Sequence, residues 1–444
     1  MKVLVVGGGG REHALCWRLA QSPSVTRVLA APGNAGTAAV AERVAVGAED
    51  LDRIVELADE LEIDLTVIGP EAQLVAGLAD RLEAAGRRVF GPSAAAARLE
   101  GSKAFAKDLM LRHGIPAARS GSFDDVEKAT AFVDELGGEA VVKADGLAAG
   151  KGVTVARDRE IAVAAIEDCL VRRIFGDAGS TVVVEELLEG PEVSAFALVD
   201  AGCVVPIALA QDFKRAFDGD AGPNTGGMGA YSPLAWIEQA TVDRIWWEIV
   251  AATVRAMRDE GVTYRGVLFA GVMLTDDGPK VLEFNCRFGD PETQALLPRV
   301  RSDLGELLAA CAADGLDGVT VEMDPRACVT VVLASGGYPG AYETGFPIGG
   351  LDGASALTDV TVFQAGTAER DGTVVTAGGR VLGVSALGDS LGQARARAYE
   401  ACDLISFEGM QHRRDIAARA TTQGRGTRRA DGGRGTRHAD GERA

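Results

Sequence analysis

The chain has 444 residues, a hydrophobic fraction of 47% and a formal net charge of −19. This length and apolar content predict several packed domains with large cores, and the negative charge argues against a nucleic-acid-binding protein. The 7 cysteines are scattered and form no Cys-x-x-Cys pair, which favours reduced core thiols in a cytoplasmic protein. We expect no signal peptide and no membrane span, because the chain starts with a short strand and no apolar run is long enough to cross a bilayer.

The first hundred residues alternate short apolar strands with amphipathic stretches. This alternation is typical of an open, doubly wound parallel sheet with helices on both faces. The strands are predicted at Lys2–Val6, Arg27–Ala31, Asp64–Ile68 and Arg88–Phe90.

A run of glycines, Gly7–Gly10, follows the first of these strands and opens a helix. Anions bind at this position in doubly wound sheets. The dinucleotide fingerprint fails, because Glu12 or His13 would take the place of its last glycine. We therefore predict a site for a single phosphate and a sugar, completed by two later loops at the same sheet edge. Its candidate ligands are Gly9, Gly10, Asn34, Gly36, Thr37 and Glu71.

A second glycine-rich segment joins the predicted strands Ala140–Lys143 and Val153–Ala156. Its glycines would let backbone N–H groups approach phosphate oxygens, and its lysines add positive charge. It is not a Walker A loop, because its glycines are too closely spaced and no Ser or Thr follows the lysine. We predict a flexible flap over phosphates, with a plain glycine hairpin as the alternative. The candidate residues are Gly146, Gly150, Lys151 and Gly152.

The segment 282–292 carries the strongest chemical signal. An apolar strand, Val267–Leu274, and a turn precede it, which predicts the return strand of a hairpin. Glu283, Asn285 and Arg287 would then point to the same face. A carboxylate, an amide oxygen and a guanidinium in a row suit a hard cation beside an anion, and Mg²⁺ prefers oxygen ligands and usually keeps phosphate among them. An ordinary half-exposed strand is the alternative.

Together these stretches resemble the ATP-grasp superfamily and, within it, the phosphoribosylamine–glycine ligase family. The resemblance covers roughly residues 1–420, and its most specific strings are Pro223–Pro233 and Asn285–Glu292. It implies an α/β and α+β multidomain ATP-grasp fold. The implied parts are an N-terminal α/β domain (1–101), a connector (102–120), a mobile lid (121–189), a core with the metal strand (190–324) and a small C-terminal domain (325–420). The tail (421–444) nearly repeats a Gly-, Arg- and Asp-rich motif with no large apolar residue, and we expect it to be disordered.

The resemblance also implies where ligands bind. ATP would lie between lid and core, with its phosphates on Lys103 and Lys143. The main chain at Glu185 and Leu188 would contact the adenine, and Glu192 the ribose. Mg²⁺ or Mn²⁺ would bind Glu283 and Asn285. The preceding strand offers no second carboxylate, so Glu292 and Asp212 are the candidates for completing the metal site.

Glycine would be held by Arg287 and Asp212, with Lys214 reaching the γ-phosphate. The resemblance predicts histidine at position 213, where this chain has Phe213. The expected partners are ATP, glycine and 5-phosphoribosylamine, with neither nucleic acid nor membrane, and we expect a monomer.

The implied reaction is a step of purine biosynthesis. The glycine carboxylate would attack the γ-phosphate to give glycyl phosphate and ADP. The amine of 5-phosphoribosylamine would then displace phosphate and form glycinamide ribonucleotide. Such phosphoryl transfer depends on positioning and charge neutralisation, which agrees with a chain that has only 4 His and no obvious triad. Two alternatives stay open: a related carboxylase component acting on bicarbonate, and a nucleotide-sensing protein without catalysis.

Overall fold

The computed structural model describes residues 1–148 and 152–421, and these ranges form three main sheets. Gly150, Lys151 and residues 422–444 lie outside them, so the predictions made for the flap tip and the tail are not addressed by the structure. Within the described ranges, no helix is long and apolar enough to cross a membrane.

A five-stranded parallel sheet in the order β3-β2-β1-β4-β5 forms the N-terminal region, as the sequence predicted. Helices cover both faces, which is why Val3 to Val6 of the first strand are fully buried. The elements are β1 (Lys2–Gly7), α1 (Gly10–Leu19), β2 (Arg27–Pro32), β3 (Glu42–Arg43), α2 (Leu51–Glu60), β4 (Leu65–Ile68), α3 (Glu71–Val75), α4 (Leu78–Ala84), β5 (Val89–Phe90), α5 (Ala94–Gly101) and α6 (Lys103–Arg112).

Helix α6 connects this region to the lid. Ser102 caps it, because its Oγ accepts the backbone N–H of Phe105 at 3.1 Å. Lys103 and Lys107 stand one turn apart on the helix and therefore share a face. The start of α6 thus fixes two ammonium groups at the edge of the lid.

The lid is a four-stranded antiparallel sheet in the order β6-β9-β7-β8. Ala129 and Ile166, from its two helices, belong to the same buried cluster as the strand residues Val142 and Val184. The two strands predicted on either side of the glycine-rich segment are confirmed here as β7 and β8. The elements are β6 (Ser120–Phe123), α7 (Val126–Glu135), β7 (Ala140–Ala144), β8 (Val153–Ala156), α8 (Arg159–Leu170) and β9 (Val182–Glu185).

An eight-stranded antiparallel sheet continues through the rest of the chain, in the order β16-β15-β10-β11-β14-β17-β21-β18. The elements in the first part of this region are β10 (Glu192–Val199), β11 (Val204–Asp212), β12 (Arg215–Phe217), β13 (Ala221–Asn224), β14 (Gly229–Ser232), α9 (Gln239–Arg244), α10 (Ala251–Asp259), β15 (Gly266–Thr275), β16 (Gly278–Asn285), α11 (Glu292–Leu296) and α12 (Leu304–Cys311). Those in the second part are β17 (Ala327–Ala334), α13 (Leu351–Ser355), β18 (Val360–Gln364), β19 (Thr367–Arg370), β20 (Thr373–Thr376), β21 (Arg380–Gly388) and α14 (Leu391–Leu404). The pairs β12-β13 and β19-β20 form separate two-stranded sheets.

The predicted hairpin is confirmed, since β15 and β16 pair antiparallel. The strand runs from Gly278 to Asn285, so Arg287 lies beyond it and not on the strand face that was predicted for it. Gly271 lies opposite Glu283, and Phe269 lies opposite Asn285. The short strand β14 pairs with β11 on one side and with β17 on the other. It thereby joins one half of the sheet, β16-β15-β10-β11, to the C-terminal half, β17-β21-β18.

Candidate functional site

A cavity of about 1410 Å³ lies between the lid, the N-terminal region and the eight-stranded sheet. We call it the cleft. Most residues assigned from the sequence line it: Glu71, Lys103, Lys143, Gly152, Glu185, Leu188, Glu192, Asp212, Lys214, Glu283, Asn285, Arg287 and Glu292. Residues that are far apart in the chain are therefore brought to one surface.

Glu283 is surrounded by positive charge. Burial acts to raise the pKa of Glu283, but Lys214, Lys143, Lys103 and Arg287 outweigh it and lower this pKa to about 2. The Lys214 ammonium lies 3.7 Å from the Glu283 carboxylate. The carboxylate is thus ionised at neutral pH and faces the same space as the cations.

Asn285 is buried, at 8% exposure, beside Glu283 at the end of β16. Among the described residues its side-chain amide makes no hydrogen bond, and it lines the cleft, so a ligand can reach it. Within residues 1–148 and 152–421, no group of three or more His, Cys, Asp or Glu side chains is arranged so that it could hold a metal ion. An ionised carboxylate and an unpartnered amide oxygen fit a hard cation whose other ligands come from a bound phosphate.

Three lysines stand on the lid side of the cleft. Glu185 lies between two of them, 2.9 Å from the Lys143 ammonium and 2.9 Å from that of Lys107. Burial is the main cause that lowers the pKa of Lys107, to about 8. The Lys143 ammonium also donates to the Leu282 carbonyl at 3.1 Å, and that of Lys103 to the Gly146 carbonyl at 3.2 Å. One buried carboxylate shared by two ammonium groups leaves net positive charge for an anion.

The two predicted flap glycines that the structure describes differ. The Gly146 N–H donates to the Ala178 carbonyl at 3.2 Å, and a side chain at position 146 would approach Ala178 to 2.8 Å. Gly152 lines the cleft, although a side chain at position 152 would approach that of Ala148 to 2.7 Å. Both glycines are therefore closely packed, and only Gly152 borders the ligand space.

A second charged group lies where β11 ends. The Lys214 ammonium contacts the Glu192 carboxylate, and Asp212 lies nearby at the strand end. Burial raises the pKa of Asp212 well above its usual range, against the opposing effect of Lys214. Lys214 thus connects the predicted ribose ligand, Glu192, with the predicted metal ligand, Glu283.

Arg287 lies in the cleft with both sides of its guanidinium engaged. Its Nε lies 3.1 Å from the Glu71 carboxylate, and its Nη2 lies 3.0 Å from that of Glu100. Burial acts to lower the pKa of Arg287, but Glu100 and Glu71 raise it. Glu71 is partly exposed and Glu100 is buried, so an incoming ligand can reach the Glu71 side of the guanidinium.

The predicted sugar-phosphate loops are closed by their own side chains. The Gly9 N–H donates to Glu12 at 2.7 Å, so the start of α1 already holds a carboxylate. The Asn34 amide donates to the carbonyls of Gly8 and Gln364, at 2.9 and 2.7 Å, and its oxygen accepts the N–H groups of Gly36 and Thr37. Of the candidates in these loops, Gly9, Gly10, Asn34, Gly36 and Thr37 do not line the cleft, whereas Glu71 does. Their binding of a sugar phosphate stays a prediction.

Sequence reasoning did not single out four charged residues of this site: Arg11, Glu100, Lys107 and Arg380. Lys107 stands four residues after Lys103 in a helix, and that spacing could have revealed it. Arg11 and Glu100 lie within strings that carry the family resemblance. Arg380 donates to the carbonyls of Gly226 and Asp290, both at 2.7 Å, and nothing in its local sequence indicates those partners.

Three family models match consecutive parts of the chain. They are the phosphoribosylglycinamide synthetase N domain over residues 1–100, its ATP-grasp (A) domain over 101–293, and its C domain over 328–419.

Individual proteins agree with these matches. The phosphoribosylamine–glycine ligase of Vibrio parahaemolyticus is 52% identical over 95% of the chain and 98% of its own length. That of Pseudomonas aeruginosa is 51% identical over 96% and 100%. The crystal structure of the Thermotoga maritima phosphoribosylamine–glycine ligase superposes with a TM-score of 0.82 at 34% identity, covering 94% of this chain and all of that one. A biotin carboxylase domain of Hydrogenobacter thermophilus, at 17% identity and a TM-score of 0.72 over 93% and 91% of the two chains, shares the fold.

Proposed function

The chain belongs to the phosphoribosylamine–glycine ligase family, and from this premise we propose that it joins glycine to 5-phosphoribosylamine with conversion of ATP to ADP and phosphate. The glycine carboxylate attacks the γ-phosphorus, and the bond to the β-phosphate oxygen breaks, giving glycyl phosphate. The sugar amine then attacks the glycyl carbonyl carbon, and phosphate leaves.

One observation carries this proposal: four cationic side chains converge on the ionised Glu283 within a single cleft. Transfer of a phosphoryl group needs neutralisation of triphosphate charge and alignment of the reactants, without a protein nucleophile. Lys103 and Lys143 stand where they would hold the α- and β-phosphates. The flap would cover the β- and γ-phosphates, and Lys214 would reach the γ-phosphate from the opposite side.

The remaining contacts of ATP fall to the edge of the lid. The segment from Glu185 to Leu188 leaves β9 and lines the cleft, so its main chain would face the adenine. Glu192, at the start of β10, would bind the ribose hydroxyls and would then exchange part of its contact with Lys214.

Glu283 and Asn285 would hold Mg²⁺ or Mn²⁺. A divalent cation there neutralises charge on the β- and γ-phosphates and makes the γ-phosphorus more electrophilic. Asp212 and Glu292 are the further oxygen donors in our assignment. Burial is the main cause that raises the pKa of both carboxyl groups, and a bound cation would favour their ionised forms.

Glycine would bind between Arg287 and Asp212. The guanidinium forks onto its carboxylate from the side now facing Glu71, and Asp212 accepts its ammonium group. The phosphoribosylamine would enter next to Glu71, whose carboxylate is a ligand for sugar hydroxyls. The closed loops around Gly9 and Asn34 would shape the wall behind it.

The test is a coupled ADP-release assay with ATP, glycine and 5-phosphoribosylamine together, and with each substrate omitted in turn. We expect sustained ADP release only with all three, and a product whose mass equals glycinamide ribonucleotide. Release that depends on bicarbonate and not on glycine would support a carboxylase instead. Tight ATP binding without ADP release under any condition would support a nucleotide-sensing protein.

A further inference from the structure

Arg413 is the largest fully buried side chain among the described residues, at 1% exposure. It lies beyond α14, the last helix of the C-terminal half. Its guanidinium is 2.7 Å from the Asp415 carboxylate and 2.9 Å from that of Asp220. Asp220 belongs to the hairpin of β12 and β13, so this arginine connects the C-terminal segment to the cleft.

The other contacts of Arg413 lie on either side of Lys214. The guanidinium donates to the carbonyl of Arg215 at 3.2 Å, and it lies 5.0 Å from the centre of the Phe213 ring. A guanidinium over an aromatic face is attracted by the ring quadrupole. Both neighbours of Lys214 are therefore held by one side chain.

The backbone of the same segment is also fixed from the opposite side. The Phe213 N–H donates to the Gly229 carbonyl at 3.0 Å, and the Lys214 carbonyl accepts the N–H and hydroxyl of Thr225 at 2.7 and 2.9 Å. These bonds fix the backbone distance to β14 and the glycine-rich loop before it. The Phe213 carbonyl also accepts the Met228 N–H at 2.8 Å. Arg413 adds side-chain contacts to this segment, through the Arg215 carbonyl and the Phe213 ring.

We propose that Arg413 is a positioning residue for the ligation reaction. It sets the orientation of residues 213–215 so that the Lys214 ammonium reaches Glu192 and Glu283 while Asp212 faces the glycine position. The assignment to ligation rests on the function proposed above. An arginine is required because its fork engages two carboxylates and a carbonyl while its plane covers Phe213, and a lysine cannot do both.

This role predicts an uneven effect on the substrates. The lysines that hold ATP phosphates stand on α6 and β7, and Arg413 contacts neither element in the described chain. ATP would keep its contacts with Lys103 and Lys143 and lose only the alignment of Lys214, so loss of the Arg413 geometry should disturb glycine binding and turnover more than ATP binding. A purely structural residue would instead lower the amount of active enzyme and leave every Michaelis constant unaltered.

The test compares Arg413→Lys and Asp220→Asn with wild type. Asp220→Asn is included because the Asp220 side chain is 45% exposed. This variant therefore weakens the contact of Arg413 with the β12–β13 hairpin without burying an unpaired charge. The matched control is Arg395→Met. Arg395 donates to the Ile416 carbonyl at 2.9 Å and stacks on Tyr399, so it holds the same segment without contacting residues 213–215.

We expect Arg413→Lys to raise the KM for glycine about tenfold and to lower kcat, with the KM for ATP within about twofold of wild type. Asp220→Asn should show the same pattern at about threefold, and Arg395→Met should show neither change. Equal KM values in all proteins, with activity following the folded fraction, would overturn the proposal.

Hydrogen exchange separates this proposal from the proposed function. Faster exchange of residues 213–228 in Arg413→Lys, with unchanged exchange in α6, is expected whichever reaction the protein catalyses. Unchanged exchange in residues 213–228 would overturn the positioning role. If wild type releases no ADP with the three substrates while the exchange result is as expected, the ligation assignment fails, but Arg413 still positions residues 213–215.

Discussion

Glycine-rich loops follow strands in two regions of the molecule, the N-terminal sheet and the lid beside the cleft, and the two regions differ. In the N-terminal region the glycines bring the chain close to its own side chains: a side chain at Gly69 would lie 2.0 Å from the Glu12 carboxylate, and one at Gly36 would lie 2.5 Å from His13. The two described glycines beside the cleft are also closely packed, with Cβ positions 2.8 Å from Ala178 and 2.7 Å from Ala148, but Lys143, Glu283 and Asn285 line a cavity of about 1410 Å³. The first region is closed by protein groups, and the second is open to a ligand.

The difference shows what a glycine-rich loop can indicate. Glycine permits close approach of the backbone, but the approaching group can be a phosphate or a neighbouring side chain. The deciding observation is whether the backbone N–H groups and nearby side chains already have partners. Glu12 and Asn34 fill that role in the N-terminal region, whereas Asn285 in the cleft has no side-chain partner among the described residues.

The largest effect is expected in the open region, from Glu283→Ala. Turnover should fall at least about a hundredfold, because the variant removes the carboxylate from the cation site. The protein should stay folded, since this side chain borders the cleft and its loss opens no core cavity. ADP release and a melting curve test this, with Glu260→Ala as the control for loss of an ion-paired glutamate elsewhere. Near-normal ADP release by folded Glu283→Ala protein would rule out the metal assignment.

In the closed region, Asn34→Ala should act on stability. Its amide joins three loops, and its loss leaves the buried Gly36 and Thr37 N–H groups without their acceptor, so the free energy of unfolding should drop by about 3 kcal/mol. Urea denaturation measures this change. The KM values of the folded enzyme for ATP and glycine should stay near wild type. A raised KM for 5-phosphoribosylamine at unchanged stability would show that this loop binds the sugar phosphate and would remove the contrast between the two regions.

His13 makes the closed region sensitive to pH. Burial lowers the pKa of His13 to about 4, and its Nδ1 accepts the Gln364 N–H at 2.8 Å, which requires the neutral ring. Between pH 6.5 and about 4 the unfolded chain binds a proton that the folded chain does not, so stability falls as the pH falls through this window. From about pH 7.5 to 5 the loss from this one group should be about 2 kcal/mol.

The variant His13→Asn keeps an acceptor without titrating in this range. Its stability, measured by urea denaturation at several pH values, should therefore depend less on pH than that of wild type. Parallel pH profiles for the two proteins would show that His13 does not carry this dependence.

The smallest effect concerns Arg287, which connects the two regions through Glu71 and Glu100. Arg287→Lys loses the fork, so the KM for glycine should rise about tenfold, equivalent to about 1.4 kcal/mol. The KM for ATP should change much less. If the ATP value rises instead, Arg287 is a phosphate ligand. If neither value moves, its role is confined to pairing the two glutamates.

Much of this architecture could be predicted from the sequence because its signals are local. Apolar runs and glycine turns located β1, β2, β4 and β5 of the first sheet, β7 and β8 of the lid and the strand β15 within one or two residues. They missed the short strand β3 and the lid strand β6, and β16 begins four residues before the predicted segment at Leu282. Several charged residues of the cleft lie in short sequence segments whose residue types indicate phosphate or cation binding. Lys143, Lys214 and Glu283 were therefore assigned before their proximity was known.

The missed features depend on partners that are distant in the chain. Asn34 bonds to Gln364, which is 330 positions away, so no local pattern could show that its loop is closed. Glu100 likewise meets Arg287 only in the folded protein. The pairing of Lys107 with Glu185 is of the same kind, although the helical spacing from Lys103 was a usable signal.

The strand β14 has a consequence for how the protein can be divided. It is four residues long, and it hydrogen-bonds to β11 on one side and to β17 on the other. The strands β16-β15-β10-β11 and the strands β17-β21-β18 therefore form one continuous sheet only through β14. Cutting the chain between them would expose an unpaired, buried strand edge on each fragment, and such edges promote aggregation. The two halves should therefore be recovered intact only as a single polypeptide or when co-expressed, whereas the lid, with its own sheet and core, is the part that can be exchanged between relatives.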